Sequence, residues 1–263
     1  MSPLNIRPIN LLDAGAVENP HNPMSKFEYL GPPLEQGPLP AVFYFALSAK
    51  DSLHLDPFNQ PAQFLSSYPL RVFSLTLPGH HLPPTEALDD WAREMAKGRD
   101  VIAEFVNETL SVIEDLTAKN VIAKGKLAAA GLSRGGFIAC HVAAKTTLIS
   151  TILGFAPLTR LDYTKEFEGV DVSSFNLSHL VEPLCSRTLR FYIGNRDMRV
   201  GTANCFHFIS ALTDTAYQKK SRSPPLELII GPSIGHQGHG TSPQVFKNGA
   251  DWLAQQLGCS DGT

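Results

Sequence analysis

A serine flanked by glycines is the feature of this chain with the clearest chemical meaning. Residues 131–136 read Gly-Leu-Ser-Arg-Gly-Gly, which contains a Gly-x-Ser-x-Gly box centred on Ser133. The box follows an apolar run at residues 127–130 and opens into a second apolar stretch at residues 137–140. This context is typical of a strand, a sharp turn and a helix, and such a turn exposes the serine hydroxyl. The pattern predicts that Ser133 is a nucleophile.

A nucleophilic serine needs a base to remove its proton, and the base needs a third group to orient it. Asp197 follows the predicted strand at residues 188–193, and His236 follows the predicted strand at residues 226–230. In a parallel sheet the carboxyl ends of the strands meet at one edge, where ligands bind. We therefore predict a catalytic set of Ser133, Asp197 and His236.

Alternatives remain for two members of this set. Asp162 follows the preceding strand and is the rival acid. His239 competes with His236 in a Gly-His-Gln-Gly-His-Gly segment, and the shorter distance from the strand favours His236. His80 and His81 follow another strand and could face the cleft, although a surface loop is the simpler interpretation.

The order Ser, Asp, His along the chain is that of the α/β-hydrolases. The Gly-x-x-Asp turn at residues 194–197 and the Gly-His after a proline at residues 232–236 add to this pattern. Over about residues 40–257 the chain resembles prolyl-oligopeptidase-like and dienelactone-hydrolase-like serine hydrolases, with three distinctive segments at the site. The resemblance implies an α/β-hydrolase fold and an acyl-enzyme formed on Ser133. It implies no metal and no organic cofactor.

Acyl transfer also needs hydrogen-bond donors for the oxyanion. The first expected donor is the backbone N–H of Arg134, directly after the nucleophile. The second normally comes from the loop after the strand at residues 40–45, where the resembled family has His-Gly and this chain has Ala-Leu-Ser. We nominate the backbone of Leu47 or Ser48, because an amide can donate whatever its side chain. The Arg134 side chain is a candidate for binding an anionic substrate group, and pairing with a neighbouring acid is the alternative.

Strand and helix signals alternate from residue 40 onward, which predicts an α/β fold with a mostly parallel central sheet and helices on both faces. The predicted strands cover residues 26–30, 40–47, 70–77, 127–132, 149–155, 188–193 and 226–230. The predicted helices cover residues 58–66, 89–118 with an interruption at Gly98, 134–145, 203–217 and 244–257, and residues 48–56 are predicted to form a loop.

The domain organisation follows from the same pass along the chain. Residues 1–38 are rich in proline and asparagine and are predicted to form an N-terminal arm. Residues 39–257 form the predicted hydrolase domain, and residues 258–263 a C-terminal tail. Periodicity is lost at about residues 158–186, which predicts a small cap or lid insertion. Its apolar side chains could line a substrate pocket, although packing of the cap is the simpler explanation: Phe167, Phe175 and Leu177.

Composition bounds the remaining possibilities. The 263 residues are 43% hydrophobic and 18% charged, as expected for one globular domain with a sizeable core. A net charge of -3 argues against a nucleic-acid-binding protein. There is no apolar run of about 18 residues and no signal-peptide pattern, so we expect a cytoplasmic protein without a membrane span. The four cysteines lack metal-ligand spacing and are expected to be free thiols.

These observations together predict a serine hydrolase that acts on a small-molecule ester, with a thioester or an amide as alternatives. About 38 residues precede the first strong strand, which favours a small substrate over the peptides cleaved by oligopeptidases with a propeller domain. A small serine peptidase is therefore an alternative. A second alternative is a catalytically silent α/β-hydrolase-fold binding module, because the His-Gly of the oxyanion loop is missing.

Overall fold

The computed structural model describes residues 17–19, 22–80 and 86–259. Its described part contains an eight-stranded sheet in the order β1-β2-β4-β3-β5-β6-β7-β8. The strands are β1 (Val17–Asn19), β2 (Asn22–Leu30), β3 (Leu39–Phe45), β4 (Arg71–Leu75), β5 (Ile122–Leu132), β6 (Ile149–Phe155), β7 (Thr188–Gly194) and β8 (Leu226–Gly231). β1 and β2 join the sheet antiparallel, and the strands from β4 to β8 pair in parallel.

Helices connect the parallel strands. They are α1 (Ala49–His54), α2 (Gln60–Leu65), α3 (Ala87–Ala96), α4 (Val101–Ala118), α5 (Arg134–Lys145), α6 (Val181–Leu184), α7 (Thr202–Gln218) and α8 (Pro243–Gln256). Among the described residues, every helix is too short or too polar to span a lipid bilayer.

The central strand β3 shows why the sheet is covered on both faces. Phe43 and Phe45 are fully buried in a core shared with α3, α4, α5 and α7. Val42 and Tyr44 are fully buried in a second core, which β3 shares with α1, α2 and α8. A strand buried on both faces needs the nearly continuous apolar run seen here. The predicted α/β architecture, with a mostly parallel sheet and helices on both faces, is confirmed.

The N-terminal part of the sheet is larger than the sequence indicates. The strand predicted at residues 26–30 is the end of the longer strand β2, and β1 pairs with its other edge. Phe27 and Tyr29 are buried, and their rings lie 5.7 and 5.9 Å from the ring of Phe73 in β4. Part of the segment predicted as an arm therefore belongs to the sheet. Residues 1–16 of that segment and residues 260–263 of the predicted tail lie outside the described residues.

The connection predicted as a loop at residues 48–56 contains helix α1. Ser48 caps this helix, because its hydroxyl accepts a hydrogen bond from the N–H of Asp51 at 3.0 Å. Leu53 on the same helix is fully buried. One cap and one buried apolar face stabilise this six-residue helix. A helix of six residues is too short to show periodicity in the sequence.

The single helix predicted at residues 89–118 is two helices, α3 and α4. Gly98 lies between them with φ 82, a left-handed conformation that ends α3. Asp100 then caps α4 by accepting a hydrogen bond from the N–H of Ala103 at 2.8 Å. The N-cap of α3 is Glu86, and Asp89 lies in its first turn.

The segment predicted as a cap consists of short 3-10 turns and α6, and it packs on α5. Phe167 and Leu177 are buried in the core that contains α5, and Phe175 packs against that core while half-buried. None of the three lines the cleft beside Ser133. The apolar residues of this segment thus hold it against α5. The four cysteines are free and buried.

Arg71 is a fully buried charged residue at the start of β4. Its guanidinium donates hydrogen bonds to four backbone carbonyls, those of Pro32, Pro33, Gly37 and Val121. It thereby ties the segment between β2 and β3 to the chain just before β5. Burial of the guanidinium lowers the pKa of Arg71.

We expect Arg71→Met to lower the free energy of unfolding by about 1–3 kcal/mol, because the carbonyls of Pro32 and Gly37 lose the donor that Arg71 supplies. Arg93→Met is the matched control, since Arg93 pairs with Asp90 on the exposed face of α3 and such pairs contribute about 1 kcal/mol or less. Urea denaturation of both variants measures the difference. Equal losses would contradict the anchoring role of Arg71.

Candidate active site

Ser133 stands in the sharp turn between β5 and α5. Its backbone has φ 55 and ψ -119, a region that residues other than glycine rarely adopt. Neighbouring backbone groups hold it there: its N–H donates to the carbonyl of Phe155 at 2.8 Å, and its carbonyl accepts from Leu158 N–H at 3.0 Å. The turn is thus fixed to the end of β6, and the Ser133 side chain emerges at the carboxyl edge of the sheet.

The two glycines of the box are required by space. A Cβ on Gly131 would lie 2.1 Å from the carbonyl carbon of Gly135, and a Cβ on Gly135 would lie 1.8 Å from the carbonyl oxygen of Phe45. Both distances are far shorter than any van der Waals contact. The close approach of α5 to the ends of β3 and β5 therefore requires the Gly-x-Ser-x-Gly pattern.

A chain of hydrogen bonds joins Ser133 to an imidazole and a carboxylate. Ser133 Oγ lies 2.9 Å from His239 Nε2, and His239 Nδ1 lies 2.7 Å from Asp197 Oδ2. A carboxylate only accepts, so Nδ1 carries the proton and Nε2 accepts from the serine hydroxyl. In this tautomer the imidazole can receive the Ser133 proton.

Asp197 is held firmly behind the imidazole. Its side chain is fully buried, and its second oxygen, Oδ1, accepts the backbone N–H groups of Arg199 at 2.9 Å and Val200 at 3.0 Å. Its own N–H donates to Thr202 Oγ1 at 3.0 Å. These bonds match the acceptor-only character of an ionised carboxylate. Asp197 therefore lies buried behind the imidazole of His239.

The histidine in contact with Ser133 and Asp197 is His239, which corrects the preference for His236. Beyond β8, Gly235, Gln237 and Gly238 have φ values of 72, 55 and 73, so the chain turns back on itself. This reversal leaves His236 exposed and brings His239 into the cleft. The prediction relied on the distance from the strand along the chain. Left-handed residues turn the chain back, so a residue farther along the sequence can lie nearer to the site in space. The spacing of the two glycines was the available signal for such a turn.

The rival acid Asp162 has other partners. Arg160 binds both of its carboxylate oxygens, at 3.0 and 2.9 Å, and Asn176 Nδ2 donates to it at 2.9 Å. The hydrogen bond from Arg160 lowers the pKa of the Asp162 carboxyl. The carboxylate that contacts the imidazole of His239 in the structure is that of Asp197.

Two backbone amides of the loop after β3 donate hydrogen bonds to a side chain of the following helix, α1. The N–H groups of Leu47 and Ala46 donate to the hydroxyl of Ser52, at 2.9 and 3.3 Å, and Ser52 is fully buried in α1. The hydroxyl of Ser48 donates to Asp51 at 2.7 Å, and Ser48 does not line the cleft. Of the two nominated second donors, the N–H of Leu47 is thus engaged by Ser52, and Ser48 lies away from the lining of the cleft. Ser52 escaped the sequence analysis because it lies in a segment predicted to be a loop.

A cleft of about 210 Å³ opens beside Ser133. Its lining is largely apolar, with two arginines, and consists of Ala46, Leu47, Phe58, Leu88, Leu132, Ser133, Arg134, Leu158, Thr164, Arg199, Val200 and His239. Arg134 heads α5, so its backbone N–H lies at the helix N-terminus, where the helix dipole favours negative charge.

The Arg134 side chain contacts a histidine that sequence analysis left undecided. Its Nε and Nη2 atoms lie 3.0 and 2.8 Å from His80 Nε2. Burial lowers the pKa of Arg134 to about 10, and the charge of Arg199 adds to this effect. At neutral pH Arg134 is charged and donates, so His80 Nε2 is the acceptor. His81 lies outside the described residues.

Solved structures with a similar arrangement of elements include hydrolases and peptidases. Prolyl oligopeptidase B from Galerina marginata is 17% identical, with a TM-score of 0.65, over 94% of this chain and 37% of that one. A 2,6-dihydroxy-pseudo-oxynicotine hydrolase is 16% identical, with a TM-score of 0.64, over 93% of this chain and 68% of that one. The acylaminoacyl peptidase of Pyrococcus horikoshii is 12% identical, with a TM-score of 0.64, over 93% of this chain and 40% of that one.

The chain therefore spans well under half the length of these two peptidases. No family model and no curated protein matches the sequence. At these identities the likeness establishes the fold.

We expect Gly135→Ala to lower the free energy of unfolding by about 1–3 kcal/mol or more, because the added methyl group overlaps the carbonyl of Phe45. Gly231→Ala is the matched control, since a Cβ there meets no atom within 4 Å. Thermal unfolding of both variants decides the matter. A Gly135→Ala protein as stable as the Gly231→Ala protein would contradict the steric account of the turn.

Proposed function

Because the chain has the α/β-hydrolase fold, we propose that it is a serine hydrolase that cleaves a small carboxylic ester through an acyl-enzyme. The observation that carries the proposal is the hydrogen-bonded series of Ser133, His239 and Asp197, with 2.9 and 2.7 Å between the paired atoms. A serine, a neutral imidazole and a buried carboxylate in this order are the parts that nucleophilic acyl transfer needs.

In the proposed reaction, Ser133 Oγ attacks the ester carbonyl carbon while His239 Nε2 takes the hydroxyl proton. Asp197 stabilises the imidazolium and keeps its ring oriented. The tetrahedral intermediate collapses with cleavage of the bond to the alcohol oxygen, which receives the proton from Nε2. Water then attacks the acyl-Ser133 ester, His239 accepts a proton from that water, and collapse releases the acid and returns the proton to Ser133.

The oxyanion of the intermediate would be stabilised by the backbone N–H of Arg134 at the start of α5. Ser52 engages the amides of Leu47 and Ala46, and Ser48 does not line the cleft, so we assign no second donor to this loop. Loss of one oxyanion donor costs about 10²–10³ in rate in enzymes of this type. We therefore expect activated esters and thioesters to react far faster than amides, which ranks the peptidase alternative below the esterase.

The cleft supports a small substrate. Its volume of about 210 Å³ lies below the range of about 300–1,000 Å³ typical of sites for drug-sized ligands. The largely apolar lining suits a short acyl chain or a small alcohol.

The engagement of the Leu47 amide by Ser52 also favours a second candidate, a binding module that uses the same cleft without turnover. The two candidates differ in one measurable respect. An enzyme releases product from an activated ester with rates that depend on Ser133, and a binding module does not.

We expect Ser133→Ala and His239→Ala each to lower kcat for a 4-nitrophenyl ester by at least about 10³-fold, because either change removes the nucleophile or its base. His236→Ala is the matched control. We expect that change to lower kcat less than about tenfold, because His236 is exposed and contacts neither Ser133 nor Asp197 in the structure. Spectrophotometric release of 4-nitrophenolate measures all three variants.

Two results would contradict the proposal. Turnover that survives Ser133→Ala would place the chemistry elsewhere. A larger loss in His236→Ala than in His239→Ala would mean that the wrong histidine has been assigned as the base.

A further inference from the structure

Asp197 lies in a loop that is largely exposed, the β7–α7 loop of residues 195–201. Asp197 itself is buried, but three residues around it are exposed: Asn195, Arg196 and Met198. A surface loop gains little from apolar packing and is prone to open locally. The orientation of the Asp197 carboxylate behind His239 therefore needs fixed points around it.

Two backbone N–H groups set that orientation. Those of Arg199 and Val200 donate to Asp197 Oδ1, at 2.9 and 3.0 Å. The other oxygen, Oδ2, contacts His239 Nδ1 at 2.7 Å. A shift of the backbone at Arg199 would displace the carboxylate and, with it, the hydrogen bond to the imidazole. Whatever anchors Arg199 therefore also anchors Asp197.

The side chain of Arg199 supplies such an anchor. Its two terminal nitrogens, Nη1 and Nη2, donate to the two carboxylate oxygens of Glu166, at 3.0 and 2.8 Å. A bidentate pair of this kind fixes the direction of the guanidinium as well as its distance. Arg199 thus holds Asp197 through its backbone and Glu166 through its side chain.

Glu166 is itself firmly placed. Its side chain is 7% exposed, and the next residue, Phe167, is buried in the core that contains α5. Burial acts to raise the pKa of Glu166, yet the hydrogen bond from Arg199 leads the effects that lower it, and the pKa lies below its usual value. Glu166 is therefore charged at neutral pH, and the pair combines Coulomb attraction with two hydrogen bonds.

The pair joins two parts of the chain. Glu166 belongs to the β6–β7 segment, residues 156–187, and Arg199 belongs to the β7–α7 loop. Tyr163 of the same segment also packs on that loop, because a Cβ on Gly201 would lie 3.2 Å from Tyr163 Cζ. Loss of either partner of the pair would leave a charge without its counterion in a largely buried place, which costs more than the loss of an exposed pair.

We propose that Glu166 and Arg199 are positioning residues, whose ion pair holds the backbone N–H groups that orient Asp197 toward His239. The inference rests on the proposed hydrolase function and adds two residues to its site. Misplacement of a catalytic group by about 1 Å can cost about a hundredfold in rate. The loss of this pair should therefore appear in kcat rather than in KM.

The first test replaces each partner of the pair. Glu166→Gln and Arg199→Gln should each lower kcat for a 4-nitrophenyl ester by about ten- to a hundredfold and change KM by less than about threefold. Arg160→Gln is the matched control, because Arg160 binds both oxygens of Asp162 in a bidentate pair that stays within the β6–β7 segment. Its kcat should remain within about twofold of the native value, as expected for an exposed pair.

A double-mutant cycle separates positioning from a general loss of structure. If Glu166 acts through Asp197, then Glu166→Gln should lower kcat by less than about twofold in a protein that already carries Asp197→Asn. A general structural defect would lower kcat by the same factor in both backgrounds. Arg199→Lys is a milder variant that keeps the charge but not the bidentate geometry, and its kcat should lie between those of the native protein and Arg199→Gln.

A spectroscopic measurement tests the same contact without turnover. A proton held between an imidazole nitrogen and a carboxylate gives a proton NMR resonance far downfield, and exchange with water broadens it. We expect this resonance from the His239 ring in the native protein and in Arg160→Gln. It should be broadened or lost in Glu166→Gln and Arg199→Gln.

The outcomes separate this inference from the function on which it rests. Ser133-dependent turnover with a native kcat in Glu166→Gln and Arg199→Lys would overturn the positioning role and leave the hydrolase. Equal losses of kcat in the native and Asp197→Asn backgrounds, or an effect confined to KM, would also overturn it. Absence of turnover in the native protein, together with a downfield resonance that is lost in Glu166→Gln, would overturn the hydrolase and support the positioning role.

Discussion

The backbone conformation of Ser133 is the constraint on which the rest of the site depends. A positive φ at a residue other than glycine costs about 1–3 kcal/mol and persists only where the surroundings enforce it. Here the carbonyl of Phe155 and the N–H of Leu158 bind the Ser133 backbone, and β3 lies so close that Gly135 has no room for a side chain. The sheet thereby fixes the direction of the Ser133 hydroxyl before any ligand is present.

The partners of Ser133 come from two loops that are bonded to each other. At the ends of β7 and β8, the N–H of Asn195 donates to Gly231 at 2.7 Å, and the N–H of Met198 donates to Gln237 at 2.9 Å. Both loops are therefore positioned as one unit, which sets the separation between Asp197 and His239. The same unit presents Arg199 to the cleft.

Much of this arrangement was predictable from the sequence, and the errors have identifiable causes. The α/β-hydrolase fold is confirmed, because long apolar runs mark buried strands and the glycines around Ser133 mark a forced turn. The preference for His236 over His239 failed because it relied on distance along the chain and did not allow for the backbone reversals at Gly235 and Gly238. The hydrogen bonds from the amides of Ala46 and Leu47 to Ser52 were missed for a related reason. Helix α1 is too short to show helical periodicity in the sequence, and its contacts are set by tertiary packing.

Covalent labelling of Ser133 tests the central claim most directly, since a fluorophosphonate reacts with a serine only when a base activates it. The account predicts an adduct on Ser133, located by peptide mass spectrometry, in the native protein and in His236→Ala. It predicts at least about a hundredfold slower labelling in His239→Ala, because the base would be absent. A native protein that resists the reagent, or a His239→Ala protein labelled at the native rate, would contradict the account.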